Sequence, residues 1–282
     1  MLKRIRQLPT ASGVAASSTA TFDLPLGIRY HAVYLLLGNA GTPVWNNGTD
    51  VTEIRIKVDG RVQRRMTPAE LDAINLINGT KYGLQATDTI IPIFFSEDWL
   101  RTIGGENALA WGTGGIASLQ IEIDLGAPAT PTLSGRALVD DQTVAAEGGS
   151  IVPFPLGKIE RWSKGNFDVT QTGDVHQTNL PKRGDYRGIH AFSANVAAVE
   201  VKVDNFTILD ATKAFSDAVQ VSRGKTPIAG RFDILFDIDN QISSFLATTK
   251  NDGRRIDELD VIWNMSSAAS FDFIARNIDF AG

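Results

Sequence analysis

The stretch Val51–Gly60 (VTEIRIKVDG) decides the fold, because the chain repeats it at Val196–Asn205 (VAAVEVKVDN). In the first copy, Ile54, Ile56 and Val58 alternate with charged residues, and valines hold the same places in the second copy. A period of two predicts a β-strand with one buried face and one face in solvent. Each copy ends in a residue pair that tolerates positive φ and favours a turn. We therefore predict two equivalent strands, one in each half of the chain.

The repeat extends through most of the sequence. Upstream of the two strands, Leu24-Pro25 and Tyr30 match Leu180-Pro181 and Tyr186 at one constant spacing. Downstream, each half shows the same predicted order of a short helix, an apolar strand, a second short helix and an alternating strand. The short helices start at Thr67 and Asp210, and the apolar strands span Thr89–Phe95 and Phe232–Ile238. The second helices span Ser96–Ile103 and Asp239–Thr248. The last strands alternate over Leu119–Leu125, within a strand predicted for Ala117–Leu125, and over Leu259–Met265. Because the order and spacing of these elements agree between the two halves, we predict that the chain is an internal repeat of whole domains.

Short alternating strands, recurrent turn residues and low helical content predict an all-β fold. Eight short antiparallel strands per half, with small helices in the connections, fit a jelly roll, so we predict two tandem eight-stranded jelly rolls. The polar stretch Asp140–Ser150 is the best domain boundary. We predict an N-terminal arm over residues 1–17, a first jelly roll over residues 18–143 and a second over residues 144–282. The first half also carries one extra loop, Gly41–Asp50.

Composition excludes several classes of function. The 282 residues include no cysteine, which excludes disulfides, a cysteine zinc site and a thiol nucleophile. Hydrophobic residues make up 43% of the chain, enough for two cores, yet no apolar run approaches the roughly 18 residues of a transmembrane helix. The net charge of −5 argues against general nucleic-acid binding, and we expect no direct contact with nucleic acid.

The first six residues carry three basic side chains, Lys3, Arg4 and Arg6, and no acidic one. A signal peptide is not predicted, because polar residues and Pro9 interrupt any hydrophobic region. Two interpretations stay open. The residues form either a solvated tail or a basic arm that contacts an anionic surface such as lipid headgroups.

Catalytic motifs are missing. The three histidines, His31, His176 and His190, stand in no H-x-H or H-E-x-x-H motif, so packed or surface histidines are the better interpretation. No G-x-S-x-G occurs, which leaves a hydrolase elbow without support. Nothing selects a pair of carboxylates for glycoside hydrolysis among the 32 acidic residues. We therefore do not predict an enzyme.

One row of carboxylates is a candidate cation site. Asp233, Asp237 and Asp239 alternate along the segment FDILFDIDN, and oxygen ligands on one face suit Ca²⁺. The alternative is the solvated face of an antiparallel strand. We take Asp237 and Asp239 as candidate ligands of a structural Ca²⁺ and expect no other cofactor.

A series of short segments runs through nearly the whole duplicated chain. In order, they are Phe22–Gly27 (FDLPLG), Tyr30–Leu37, Ile54–Val58 with Asp59-Gly60-Arg61, Leu119–Asp124 (LQIEID), and Leu180-Pro181 with Tyr186-Arg187. With these segments, the chain resembles the double jelly-roll major capsid proteins of membrane-containing icosahedral bacteriophages, most closely those of the corticovirus group. Loop lengths at Gly41–Asp50 and Asp140–Ser150 depart from the family pattern.

This resemblance implies a structural coat protein, made in the host cytoplasm and built into the virion capsid. It implies homotrimers that form pseudo-hexagonal capsomers around an internal membrane. The partners would be neighbouring capsomers, a penton or vertex protein, and the lipids or proteins of the internal membrane. The N-terminal arm, with Lys3, Arg4 and Arg6, would face that membrane.

Two other classes stay open. One is a two-domain β-sandwich amidase that cleaves glycans from proteins. The other is a carbohydrate-binding protein, in which tryptophans supply stacking platforms for sugars. Trp263 lies on an alternating strand and is predicted to be core, and the full set of candidate platforms is Trp45, Trp99, Trp111, Trp162 and Trp263.

Overall fold

The computed structural model of the chain describes residues 2–38, 45, 48–100, 102, 104–128, 130–145, 149–241 and 244–281. It divides into two compact units, Met1–Arg161 with Phe280–Gly282, and Trp162–Asp279. Most of the predicted extra loop Gly41–Asp50, and residues 146–148 of the predicted boundary, lie outside the described residues.

The first unit is built mainly of strands. They form one sheet in the order β1-β9-β3-β6, with β7 beside β3, a second sheet in the order β5-β4-β8-β2, and the hairpin β10-β11. Helix α1 (Pro68–Leu76) separates β5 from β6. The strands are β1 (Arg4–Gln7), β2 (Thr19–Asp23), β3 (Arg29–Gly38), β4 (Val51–Val58), β5 (Arg61–Met66), β6 (Ile90–Phe94), β7 (Trp111–Gly112), β8 (Leu119–Leu125), β9 (Thr132–Asp140), β10 (Thr143–Ala145) and β11 (Ile151–Pro153).

The second unit has the same arrangement. One sheet has the order β13-β19-β15-β16, and in the other β14 lies between β20 and β17, with β18 beside β14. Helix α2 (Lys213–Ser222) follows β16 as α1 follows β5. The strands are β12 (Lys158–Phe167), which starts in the first unit, β13 (Gly173–Gln177), β14 (Asp185–Ala191), β15 (Val196–Val203), β16 (Phe206–Thr212), β17 (Phe232–Leu235), β18 (Leu246–Ala247), β19 (Leu259–Met265) and β20 (Phe271–Phe280).

The repeated strands occupy equivalent places. β4 pairs with β8 and β15 pairs with β19, and each pair has a bulge near its start, between Val51 and Glu53 and between Val196 and Ala198. A bulge is a specific local feature, so the same bulge at the same position marks the same strand. The inward residues Ile54, Ile56 and Val58 of β4 and their counterparts Val199 and Val201 of β15 alternate with more exposed ones as predicted, whereas Val203 is only partly buried.

The helices differ in part from the sequence prediction. Thr67 caps α1 as expected, and its hydroxyl and Glu70 form a reciprocal capping box. The cap of α2 is Thr212, whose side chain accepts from the amide of Phe215, so the predicted start at Asp210 was wrong. Asp210 instead lies in β16.

The second helices predicted at Ser96–Ile103 and Asp239–Thr248 are absent from the described parts of those segments. Both units instead share a turn at the point where the predicted helix would begin. After β6, the amides of Phe95 and Ser96 both donate to the carbonyl of His31. After β17, the amides of the next two residues both donate to the carbonyl of Arg187. This turn ends the strand at Leu235, and the predicted strand Phe232–Ile238 is correspondingly shorter.

Candidate functional site

A buried charge cluster joins β3 to the end of β9 in the first unit. Arg29 Nη2 donates to Asp140 Oδ2 at 2.6 Å, and His31 Nε2 lies 2.8 Å from the same oxygen. The amide of Gln142 donates to the other carboxylate oxygen. Burial raises the pKa of Asp140, but the bonds from Arg29 and His31 outweigh it and leave the pKa below its usual range. Because burial lowers the pKa of His31, we infer a neutral imidazole that donates from Nε2.

The second unit has two such clusters. Asp233 contacts His190 Nδ1 at 2.7 Å and Arg231 Nε at 2.9 Å, while Asp237 contacts Arg187 Nη2 at 2.5 Å. Both aspartates are buried, so the solvated-face interpretation was wrong for them. Burial lowers the pKa of His190, which indicates a neutral ring that donates to Asp233. These carboxylates serve internal ion pairs.

The candidate calcium ligands are not arranged for a cation. Asp237 Oδ2 is taken by the buried guanidinium of Arg187, and Asp239 pairs with Arg223 at 3.0 Å. A calcium ion would have to displace Arg187 from Asp237. Within the described part of the chain, no group of three or more His, Asp or Glu side chains is placed to hold a metal ion. The residues present therefore do not fit the Ca²⁺ site, and calcium binding stays an untested prediction.

The three basic N-terminal residues lie at the edge of the first unit. Arg4 and Arg6 belong to β1, which pairs with β9 in the register Arg4 opposite Val139 and Gln7 opposite Arg136. All four residues of β1 are exposed, and Arg4 Nη2 contacts Asp141 at 2.6 Å. Residues 4–7 are therefore a strand, and the interpretation as a solvated tail was wrong for them. Lys3 precedes the strand.

Two exposed apolar regions were not predicted. One is a groove of about 510 Å³ on the first unit, lined among others by Ile5, Tyr34, Leu36, Ile90 and Leu138. The other lies on the second unit, where β16 and α2 expose the large side chains of Phe206, Ile208, Phe215 and Val221. Exposed apolar regions of this kind mark interaction surfaces. We name them the β1 groove and the β16–α2 surface.

The tryptophans do not form sugar platforms. Trp45, Trp111, Trp162 and Trp263 are buried. Trp99 is half-buried and packs edge-on against two neighbouring aromatic rings, with centroids 5.9 and 6.1 Å away. No helix within the described ranges is long and apolar enough to cross a membrane. The structure thus presents buried ion pairs and exposed edges, and neither is a catalytic arrangement.

Two protein-family models match the sequence. The viral coat protein P2 N-terminal domain matches residues 5–142, and the viral coat protein P2 C-terminal domain matches residues 159–280. No curated protein matches the sequence. The first match starts within β1, and the second starts within β12.

Several solved viral structures have a similar fold. The major capsid protein P2 from bacteriophage PM2 has a TM-score of 0.83 at 18% identity, over 98% of this chain and 97% of that chain. A chain of Sulfolobus turreted icosahedral virus has a TM-score of 0.68 at 12% identity, over 99% and 90% of the two chains. A PBCV-1 virus capsid chain has a TM-score of 0.61 at 9% identity, over 98% and 93%. These similarities confirm the predicted double jelly roll.

The function rests on the two family matches. Together they cover both units and most of the chain. The family is one of structural coat proteins, which leaves the amidase and carbohydrate-binding alternatives without support. The protein belongs to the viral coat protein P2 family and is a structural component of the virion capsid.

Proposed function

We propose that this coat protein assembles as a homotrimer that forms a pseudo-hexagonal capsomer. The supporting observation is the duplication, in which the two units share strand order and bulge positions. Three copies of a chain with two similar modules supply six similar walls around one threefold axis. Such a tile packs nearly as a hexagon, next to further capsomers and a penton or vertex protein.

Sedimentation of the purified protein tests this assembly. The 30.5 kDa chain should sediment at three times its own mass across micromolar concentrations. A monomer throughout that range would contradict the proposal. The hexagonal outline can be checked separately by electron microscopy of the isolated trimer.

We further propose that Lys3, Arg4 and Arg6 face an internal membrane of the virion. The supporting observations are the exposure of β1 and of the neighbouring apolar side chains Leu2 and Ile5. Each basic residue near an anionic leaflet contributes about 1 kcal/mol, so a single subunit binds weakly and in a salt-dependent manner. Many copies in one shell add up to stable attachment.

Vesicle binding tests the membrane contact. The triple variant Lys3→Gln, Arg4→Gln and Arg6→Gln should lose salt-sensitive binding of the trimer to vesicles that contain anionic lipid. The matched control removes the same charge from three exposed arginines elsewhere, Arg61, Arg254 and Arg255. Equal loss in both variants would indicate an effect of net charge alone, and unchanged binding in the N-terminal variant would contradict the membrane contact.

A further inference from the structure

β1 and β12 are counterparts in the two units. β1 opens the first half and pairs with β9, the strand next to β3. β12 opens the second half and lies beside β20, the strand next to β14. Within the second unit, Asn166 of β12 donates to Asp272 of β20 at 2.9 Å. Each strand therefore flanks the last long strand of its own half.

β5 and β16 are also counterparts, because each forms a hairpin with the repeated strand of its unit. The outer edge of β5 is covered. The residues Lys158–Arg161 of β12 belong to the first unit, and Arg64 Nε of β5 donates to the carbonyl of Glu160 at 2.9 Å. Gln63 and Arg64 are buried as a result.

The equivalent edge at β16 is open. Its sheet ends at β16 in the described part of the chain, and Phe206 and Ile208 are 76% and 45% exposed. An exposed edge strand with large apolar side chains offers free N–H and C=O groups to another strand. By the equivalence with β5, the strand that belongs there is a counterpart of β12.

That counterpart is β1, and its outer edge is open too. β1 ends its own sheet in the described residues, and Ile5 is 74% exposed. In one chain, the outer edge of β16 and the outer edge of β1 are therefore both open, and β1 is the strand that fits beside β16. Strand addition between two copies of the chain would cover both open edges.

The chemistry of the two edges favours pairing between unlike strands. Arg4 and Arg6 repel a second β1, since like charges directly opposite each other destabilise a pair of strands. β16 instead presents the exposed Asp210, and Ile5 meets apolar side chains. A contact between two different surfaces builds a closed ring when its rotation closes, as in a trimer.

We propose that β1 of one subunit pairs edge to edge with β16 of the next subunit and extends the second jelly roll of that neighbour. This inference rests on the proposed trimer. In a closed ring, each subunit gives one β1 and receives one. The pairing uses the backbone edge of β1 and leaves Lys3, which precedes the strand, for other contacts.

Cysteine scanning tests the pairing, because the chain has no cysteine of its own. Ile5→Cys is combined in turn with cysteine at each position from 206 to 211. A disulfide needs Cα atoms about 4.4–6.8 Å apart, so oxidation should link subunits at one or two alternating positions. The linked products should run as dimers and trimers on a non-reducing gel. Ile5→Cys with Val221→Cys, exposed on α2, is the control.

The outcomes separate this inference from the proposed trimer. A trimer by sedimentation with no linkage above the control would overturn the strand pairing and leave the trimer standing. Equal linkage at all positions would show proximity without pairing and also overturn it. A monomer by sedimentation would overturn both proposals.

A charge change provides a second measurement. Asp210→Arg should weaken the trimer about fivefold per interface by placing a third positive charge beside Arg4 and Arg6. Arg6→Glu in the same chain should restore part of the affinity. Glu258→Arg makes the same change at another exposed acid and is the control. Equal weakening by both single changes, with unaltered melting temperatures, would count against a contact at Asp210.

Discussion

The two jelly rolls keep the same backbone contacts with different sequences around them. In the first, Tyr30 donates its hydroxyl hydrogen to the carbonyl of Pro25 at 2.7 Å. In the second, Tyr186 does the same with Pro181 at 2.6 Å. Burial raises the pKa of both phenols, so both stay protonated donors. The contact ties the start of a long strand to the loop that precedes it.

The turn after the repeated strand is preserved as well. Asp59 and Asp204 have φ of 49° and 48°. Each carboxylate accepts from two consecutive amides of the segment that leads into the neighbouring strand, β8 or β19. The helices show a third match. The side-chain amides of Asn75 and Gln220 donate to a carbonyl of β6 and of β17, respectively.

The buried charges differ between the halves. His31 and Arg187 directly follow the equivalent residues Tyr30 and Tyr186. The backbone carbonyl of each accepts from the two amides that follow β6 or β17, respectively. His31 pairs with Asp140 from β9, whereas Arg187 pairs with Asp237 from the turn after β17. The comparison teaches that the two halves share their hydrogen bonds between side chains and the backbone, whereas their buried charge pairs use different residue types and different partners.

The largest expected effect comes from breaking these charge pairs. Asp140→Asn and Asp237→Asn keep the side-chain shape but remove the carboxylate charge that contacts a buried guanidinium, that of Arg29 or Arg187. We expect each to lower the free energy of unfolding by about 3–5 kcal/mol, since an uncompensated buried charge is that costly. Denaturant unfolding measures the change.

Asp239→Asn is the matched control, because its pair with Arg223 is largely solvent-exposed. We expect a change of about 0–1 kcal/mol there. A loss as small as this in Asp140→Asn or Asp237→Asn would mean that the two clusters are not the coupled units described here.

The next effect concerns the repeated strands themselves. Ile56→Ala and Val201→Ala truncate fully buried side chains at equivalent positions. We expect Ile56→Ala to cost about 2–5 kcal/mol and Val201→Ala less, because fewer methyl groups are removed. Val62→Ala, on the partly exposed neighbour β5, should change stability by about 0.5 kcal/mol or less. A much larger stability loss in Val201→Ala than in Ile56→Ala would contradict the equivalence of the two strands.

Strands with strong alternation were predictable from the sequence. The alternating segments Leu119–Leu125 and Leu259–Met265 coincide with β8 and β19, although the first strand was predicted to start at Ala117, two residues too early. Their pattern carries the information because one face is buried along the whole strand. The equivalence of the Tyr30 and Tyr186 segments was also predictable, from their constant spacing. The hydrogen bonds of the two hydroxyl groups became visible only in the structure.

Features that depend on distant partners were not predictable. The segment Arg4–Gln7 is a short charged edge strand without alternation, and only its pairing with β9 makes it a strand. Asp140 lies 109 residues from His31 in sequence, so nothing local announces their pair. The exposed apolar side chains of β16 show only when the three-dimensional edge is known, because apolar residues in a strand are usually core.

Acid unfolding sharpens the comparison between the two histidines. The pKa values of His31 and His190 are lowered by burial, and those of Asp140 and Asp233 also lie below their usual range. Unfolding lets each group bind a proton at a higher pH than the folded state does. Stability is therefore full above the unfolded histidine pKa of about 6.5, and it falls as the pH drops below that value and further below about 4.

Melting temperatures from pH 8 to pH 3 measure this dependence. His31→Gln and His190→Gln should each reduce the slope between about pH 6.5 and 5, whatever their effect on stability at pH 8. His176→Gln is the control, because His176 is exposed. If neither His31→Gln nor His190→Gln changes the slope of melting temperature against pH, groups other than these two histidines cause the acid sensitivity.

The smallest effect tests the contact that the two halves share most closely. Tyr30→Phe and Tyr186→Phe remove only a hydroxyl group from buried rings that otherwise stay packed. Each leaves the carbonyl of Pro25 or Pro181 without this donor, and we expect a loss of about 1 kcal/mol in each half. Because the two sites lie in separate units, the double variant should lose the sum. Equal losses would show that the duplication preserved the energy of this contact along with its geometry. A loss in one half alone would show that the preceding loop is held by other contacts in the other half, even though the hydrogen bond is the same.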